Sequence, residues 1–239
     1  MSRPVLVACL QPGHAGSTAS PAVSDVFIYG FPRKITPFKG TPCNKRDNAG
    51  VAFRLKKTVV LIGMMGAGKT AIGTAVARTL GVPFLDSDAE IERAANMTIA
   101  EIFARDGEDF FREKETQVIR RLLKTERGIL STGGGAYLSE RNRSLVGSNG
   151  VAVWLNADLD LLWSRVRHKD TRPLLRTSDP HATLKSLYEA RVPIYSLADL
   201  SVDARPEYSI DEMAGKVIDA LLTRPDVLER VKDDGHRNG

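Results

Sequence analysis

Thr58-Val59-Val60-Leu61-Ile62-Gly63-Met64-Met65-Gly66-Ala67-Gly68-Lys69-Thr70 is the stretch on which the fold turns. Its opening residues are apolar or β-branched, the composition of a buried strand. Gly63 to Thr70 then fits G-x-x-x-x-G-K-[ST], and a helix-forming run, Ala71 to Leu80, follows directly. Strand, glycine loop and helix start in that order distinguish a phosphate-binding loop from a Gly-rich turn. The glycines let successive N–H groups turn inward toward phosphate oxygens, and the helix N-terminus adds partial positive charge at the same place. Gly66, Ala67, Gly68, Lys69, Thr70 and Ala71 are therefore the candidate nucleotide contacts. Lys69 would reach the β- and γ-phosphates and Thr70 would coordinate Mg²⁺. The expected ligand is a nucleoside triphosphate.

Outward from this loop the chain divides unevenly. Residues 1–50 carry six of the twelve prolines, six basic and two acidic side chains, and no sustained periodicity. They read as a disordered basic extension, with a start set too far upstream or a targeting peptide as alternatives. The remaining 28 basic and 27 acidic groups nearly cancel, so the net charge of +5 belongs mostly to the extension. Nucleic-acid binding is accordingly not expected of the folded part. Both cysteines, Cys9 and Cys43, also lie in the extension, which suits a reducing, cytoplasmic compartment. No stretch approaches the roughly 18–20 apolar residues of a membrane helix.

From Thr58 strand-like and helix-like runs alternate. Strands are predicted at 58–62, 82–85, 128–132, 150–155 and 200–202, with helices at 71–80, 89–95, 98–123, 158–167, 183–197 and 210–222. Thr98-Ile99-Ala100-Glu101 is a capping box at one of these starts. Such alternation implies a parallel sheet with right-handed crossovers and ligands beyond the C-terminal strand ends. The domain is expected over 51–223, and residues 224–239 read as a frayed polar tail.

Further motifs fall at those strand ends. Asp86 and Asp88 close the second strand; one carboxylate can hold the water shell of Mg²⁺ while the other meets a substrate hydroxyl. Helix capping by Asp is the plain alternative. Arg112 and Glu115 share a helix face next to Phe110 and Phe111, an arrangement suited to gripping a carboxylate. Gly133-Gly134-Gly135 offers no packing, so close backbone approach to a ligand is the better reading. Arg172-Pro173-Leu174-Leu175 lies in a long polar loop that fits a lid over ATP, with Arg172 neutralising the transferring phosphoryl group. Arg191 and Tyr195 sit one helical turn apart, and spacing alone assigns them nothing. The four histidines show no ligand spacing, so zinc is not expected.

In order, the phosphate loop, Asp86/Asp88, Phe111-Arg112…Glu115, Gly133–Gly135, Arg172–Leu175 and Arg191…Tyr195 resemble the shikimate kinase family over residues ~56–223. The resemblance implies an α/β fold of the P-loop NTPase type: three layers, α/β/α, with a five-stranded parallel sheet and a mobile lid loop. It implies ATP- and Mg²⁺-dependent phosphorylation of the 3-hydroxyl of shikimate by a cytoplasmic monomer. It further implies catalytic roles for Lys69, Asp88 and Arg172, with Asp88 the candidate base, and adenine or ATP contacts from Arg165 and Arg172. Asp88, Arg112, Gly133, Gly134, Gly135 and Arg191 would bind substrate, and Thr70 and Asp86 the metal. A gluconate-type kinase on the same scaffold and a catalytically silent kinase-like module are the competing readings.

Overall fold

The computed structural model describes residues 51–168 and 173–232. The extension 1–50, Arg172 and the last seven residues lie outside them.

The central sheet begins with β2 (Thr58–Ile62), after a short strand β1 (Val51–Leu55) that belongs elsewhere. Every residue of β2 is buried, as its β-branched and aliphatic composition requires of a middle strand. Helix α1 (Lys69–Leu80) starts from the phosphate loop. Then come β3 (Phe84–Asp86), α2 (Ser87–Ala95) and α3 (Ile99–Thr125), the last with the predicted Thr98/Glu101 capping box and a kink at Gly107. Strand β4 (Ile129–Ser131), α4 (Glu140–Asn149), β5 (Gly150–Ala157) and α5 (Leu159–Val166) follow. Helix α6 (Pro180–Tyr195), β6 (Leu200–Ala204), α7 (Ile210–Leu222) and β7 (Leu228–Lys232) complete the chain.

Five strands form one sheet in the order β3-β4-β2-β5-β6. All four pairings are parallel. The order reverses at β2, which has β4 on one side and β5 on the other. Parallel connections are almost always right-handed, so a reversal sends the crossover helices to opposite faces and opens a crevice at the switch strand. The phosphate loop leaves the C-terminal end of that strand. The expected three-layer α/β/α architecture is thus present.

Three local expectations change. Helix α4, with apolar Leu145 and Val146 as its inward residues, carries too few hydrophobic positions to show a helical stripe and was not anticipated. Helix α2 begins before Asp88, because the Asp86 side chain caps it by accepting from the Asp88 and Ala89 amides at 3.0 and 3.2 Å. The segment read as a frayed tail is folded as far as Lys232: β7 pairs antiparallel with β1, Val51 opposite Lys232. The Lys56 amide donates to the Val227 carbonyl at 2.8 Å, and Val227 and Leu228 are fully buried. Ion pairs from Arg54 and Lys56 to Glu229 and from Lys57 to Asp226 cross this ribbon.

Candidate active site

A cavity of about 530 Å³ opens at the C-terminal ends of β2, β3 and β4. One wall is the phosphate loop with Gly66, Gly68, Lys69, Thr70 and Ala71. Gly66 has φ 86°, and a Cβ there would lie 2.7 Å from the Val166 side chain, so both the turn and the packing of α5 under it require glycine. Ala67 does not line the cavity; its side chain is buried and its amide donates to the Met64 carbonyl at 3.2 Å. The Lys69 ammonium donates to the Gly63 and Met64 carbonyls at 2.8 and 3.2 Å, which fixes it over the loop. Arg165 reaches in from α5, its guanidinium donating to the Gly66 carbonyl at 3.3 Å.

Asp86 and Asp88 line the cavity from the end of β3 and the first turn of α2. Burial pushes the Asp88 carboxyl above its ordinary value, and neighbouring Asp86 adds to the shift while Lys69 opposes it. Asp86 can cap the helix with Oδ1 and still present its other oxygen, so the capping and metal readings are compatible. Thr70 is exposed in the first turn of α1 and lines the same cavity.

The three glycines after β4 are explained by side chains of the protein itself. A Cβ on Gly133 would lie 2.9 Å from Asp88 Oδ1. One on Gly134 would meet Arg191 Nη1 at 3.5 Å and the Tyr195 hydroxyl at 3.9 Å. One on Gly135 would sit 2.8 Å from both terminal nitrogens of Arg112. Each glycine therefore makes room for a different group that the sequence nominated. Arg112, Gly135 and Arg191 do not line the cavity but lie directly beside the glycine loop that does.

Behind the loop Arg112 Nη1 donates to Glu115 Oε2 at 3.0 Å, and its Nε and Nη2 donate to Glu108 at 3.2 and 3.0 Å. Glu115 is 1% exposed, whereas of the two phenylalanines that precede this pair Phe111 is buried and Phe110 is exposed. The Tyr195 hydroxyl donates to the Gly134 carbonyl at 2.5 Å. Burial raises the Tyr195 phenol above its usual value, with Arg191 opposing. Arg172 lies outside the described residues; beside it Pro173–Leu175 makes a single 3-10 turn that buries Leu175.

Sequence reasoning missed the remaining wall, formed by Tyr208, Ser209, Ile210 and Met213 at the start of α7. Its one sequence signal was the second capping box, Ser209 with Glu212, which fixes where that helix begins.

The family model for shikimate kinase matches residues 65–222. The chain belongs to the shikimate kinase family. A shikimate kinase from Cereibacter sphaeroides is 64% identical over 186 residues, covering 78% of this chain and 93% of that one. Another, from Ruegeria pomeroyi, is 66% identical over 180 residues, covering 75% and 92%. Among solved structures, shikimate kinase from Acinetobacter baumannii in complex with shikimate superposes with a TM-score of 0.66 at 36% identity, over 70% of this chain and 93% of that one. Shikimate kinase from Aquifex aeolicus gives 0.61 at 32% identity. The shikimate kinase match thus spans the loop from Met65 onward, both aspartates, the glycines and the two arginines beside them.

Proposed function

We infer that this chain transfers the γ-phosphoryl group of ATP to the 3-hydroxyl of shikimate, giving 3-phosphoshikimate and ADP on the route to aromatic amino acids. One observation carries the reading: Asp88, Arg191 and Arg112 pack against the successive glycines Gly133, Gly134 and Gly135, the first two of which line the same cavity as the phosphate loop. A carboxylate with two guanidinium groups beside it suits a small hydroxy acid, its hydroxyl toward Asp88 and its carboxylate toward the arginines.

The phosphate loop amides and Lys69 hold the β- and γ-phosphates, and Arg165 with the Tyr208–Ile210 wall bounds the space left for the base. Among the described residues no group of three or more His, Cys, Asp or Glu could hold a metal. Mg²⁺ takes few protein ligands and keeps several waters, so the Thr70 hydroxyl and Asp86, which line one cavity, fit it. When bound, the ion supplies charge neutralisation to the phosphates. Asp88 orients the attacking hydroxyl and accepts its proton, helped by the raised basicity that burial confers. Arg112 and Arg191 fix the carboxylate, with Gly134 offering its backbone. Arg172 is assigned to charge on the transferring group from sequence alone. Phosphoryl transfer depends on alignment and charge neutralisation more than on nucleophile strength, which matches this inventory.

The reading includes a cytoplasmic monomer, as the family resemblance implies, and both cysteines, Cys9 and Cys43, lie outside residues 51–223. Coupled measurement of ADP production against a panel of shikimate, gluconate and no acceptor tests the reading. Shikimate-dependent turnover is expected; ATP binding without shikimate-dependent ADP would overturn it.

A further inference from the structure

We propose that Glu115 takes up one proton when the substrate carboxylate docks on Arg112. The inference rests on the reading that Arg112 grips that carboxylate.

Glu115 lies one helical turn after Arg112 on α3 and is 1% exposed. Its Oε2 accepts from Arg112, but its Oε1 is buried with no hydrogen-bond partner. Such an oxygen is costly when ionised and is a natural seat for a proton. It faces Gly133: the point where a Cβ would stand on that glycine is 3.4 Å from Glu115 Oε1 and 2.9 and 3.2 Å from the two Asp88 oxygens. Two carboxyl groups from different helices, α2 and α3, thus converge on one glycine.

The charges around Glu115 are unevenly matched. Arg112 opposes its protonation, while Asp88 from α2 and Glu108 from α3 favour it. Lys69 lends its charge to Asp88, next to Asp86 and Glu92. Burial, the largest influence, already pushes the Glu115 carboxyl above its ordinary value.

Nε, Nη1 and Nη2 of Arg112 each donate to Glu108 or Glu115, so an incoming carboxylate takes the two remaining N–H groups or displaces one of these acceptors. Glu108 is exposed and can turn to solvent; Glu115 cannot leave. A substrate carboxylate on the guanidinium therefore dilutes the cation paired with Glu115 and adds a negative charge beside it. Both changes favour the protonated acid. The proton comes from the buffer and bonds to Oε1, no other bond changes, and the corner is spared an additional negative charge.

By linkage, shikimate then binds more weakly as pH rises above the Glu115 pKa of the free enzyme, by up to about tenfold per pH unit. Calorimetric titration of shikimate into the full-length protein, in buffers of different ionisation enthalpy from about pH 5 to about pH 8, measures the uptake directly. The expected result is a buffer-dependent enthalpy equivalent to up to one proton per site within that range, lost in Glu115→Gln while binding persists. Binding without buffer dependence, or with the same dependence in Glu115→Gln, overturns the proposal. No binding heat in any buffer, or an unchanged affinity in Arg112→Ala, instead overturns the substrate reading beneath it. Should Glu115→Gln fail to fold, the assigned carboxyl ¹³C resonance of Glu115 in the wild type decides. It must move to the protonated position on saturation with shikimate, and a resonance that stays put refutes the uptake.

Discussion

Tyr195 and Gly134 are joined across 2.5 Å, the phenol at the end of α6 donating its proton to a carbonyl in the loop after β4. Tyr195 is fully buried and also hydrogen-bonded to Arg191 one turn earlier, so one side chain ties a candidate substrate arginine to the glycine loop. Tyr195→Phe keeps the ring and strands the carbonyl. A loss of about 1–3 kcal/mol in urea unfolding is expected. The KM for shikimate should rise several-fold while that for ATP holds, and unchanged shikimate kinetics would sever the proposed link.

The glycine run makes a sharper comparison. In Gly135→Ala the methyl would stand 2.8 Å from both terminal nitrogens of Arg112, at the end of a flexible side chain that can swing away. The variant should fold and lose substrate affinity. In Gly133→Ala the methyl would press on Asp88 at 2.9 Å, so kcat should fall, by up to about 100-fold for an ångström of displacement. Steady-state kinetics with each substrate varied separates the two outcomes.

Lys69→Ala removes charge that acts on the transferring group and should lower kcat by about 100-fold or more. Arg112→Ala removes charged hydrogen bonds worth about 1.5–3 kcal/mol and should chiefly raise the shikimate KM, by roughly ten- to a hundredfold. A fall in kcat alone for Arg112→Ala would contradict the carboxylate assignment.

Asp88 combines function with a stability cost. Its folded pKa is raised by burial, then by Asp86, so ionisation is disfavoured in the folded state. The cost is absent below the unfolded pKa and develops as pH climbs through the folded one. Asp88→Asn should therefore melt higher than the wild type at neutral pH, each kcal/mol giving roughly 2–4 °C, and lose that advantage in acid. The same variant should lose turnover. A neutral-pH melting temperature below the wild type would count against the burial argument.

The ribbon of β1 and β7 predicts an effect far from the chemistry. Leu228 is fully buried, so Leu228→Ala should cost about 2–5 kcal/mol in thermal or urea unfolding. Residues 224–232 fraying in solution would leave stability unchanged.

Much of the site was legible because its parts are contiguous. Gly63–Thr70 specifies a loop and a helix start in eight residues, and Thr98 with Glu101 announces a helix within four. Helix α4 was hidden by its polar face, and β7 by having its partner at the other end of the folded chain. The glycine run was read as a place of close backbone approach to a ligand; the neighbours that the structure shows are the side chains of Asp88, Arg191 and Arg112.

By itself the order of residues determined the parallel sheet, the phosphate cradle and the nomination of Asp88, Arg112 and Arg191, since backbone geometry and helix dipoles act over a few neighbours. Only the tertiary structure decided that those side chains meet on successive glycines, that Glu115 is left with one oxygen unpaired, and that residues after Thr223 belong to the fold. Burial and charge proximity arise between segments tens to more than a hundred residues apart, and no local pattern carries that distance.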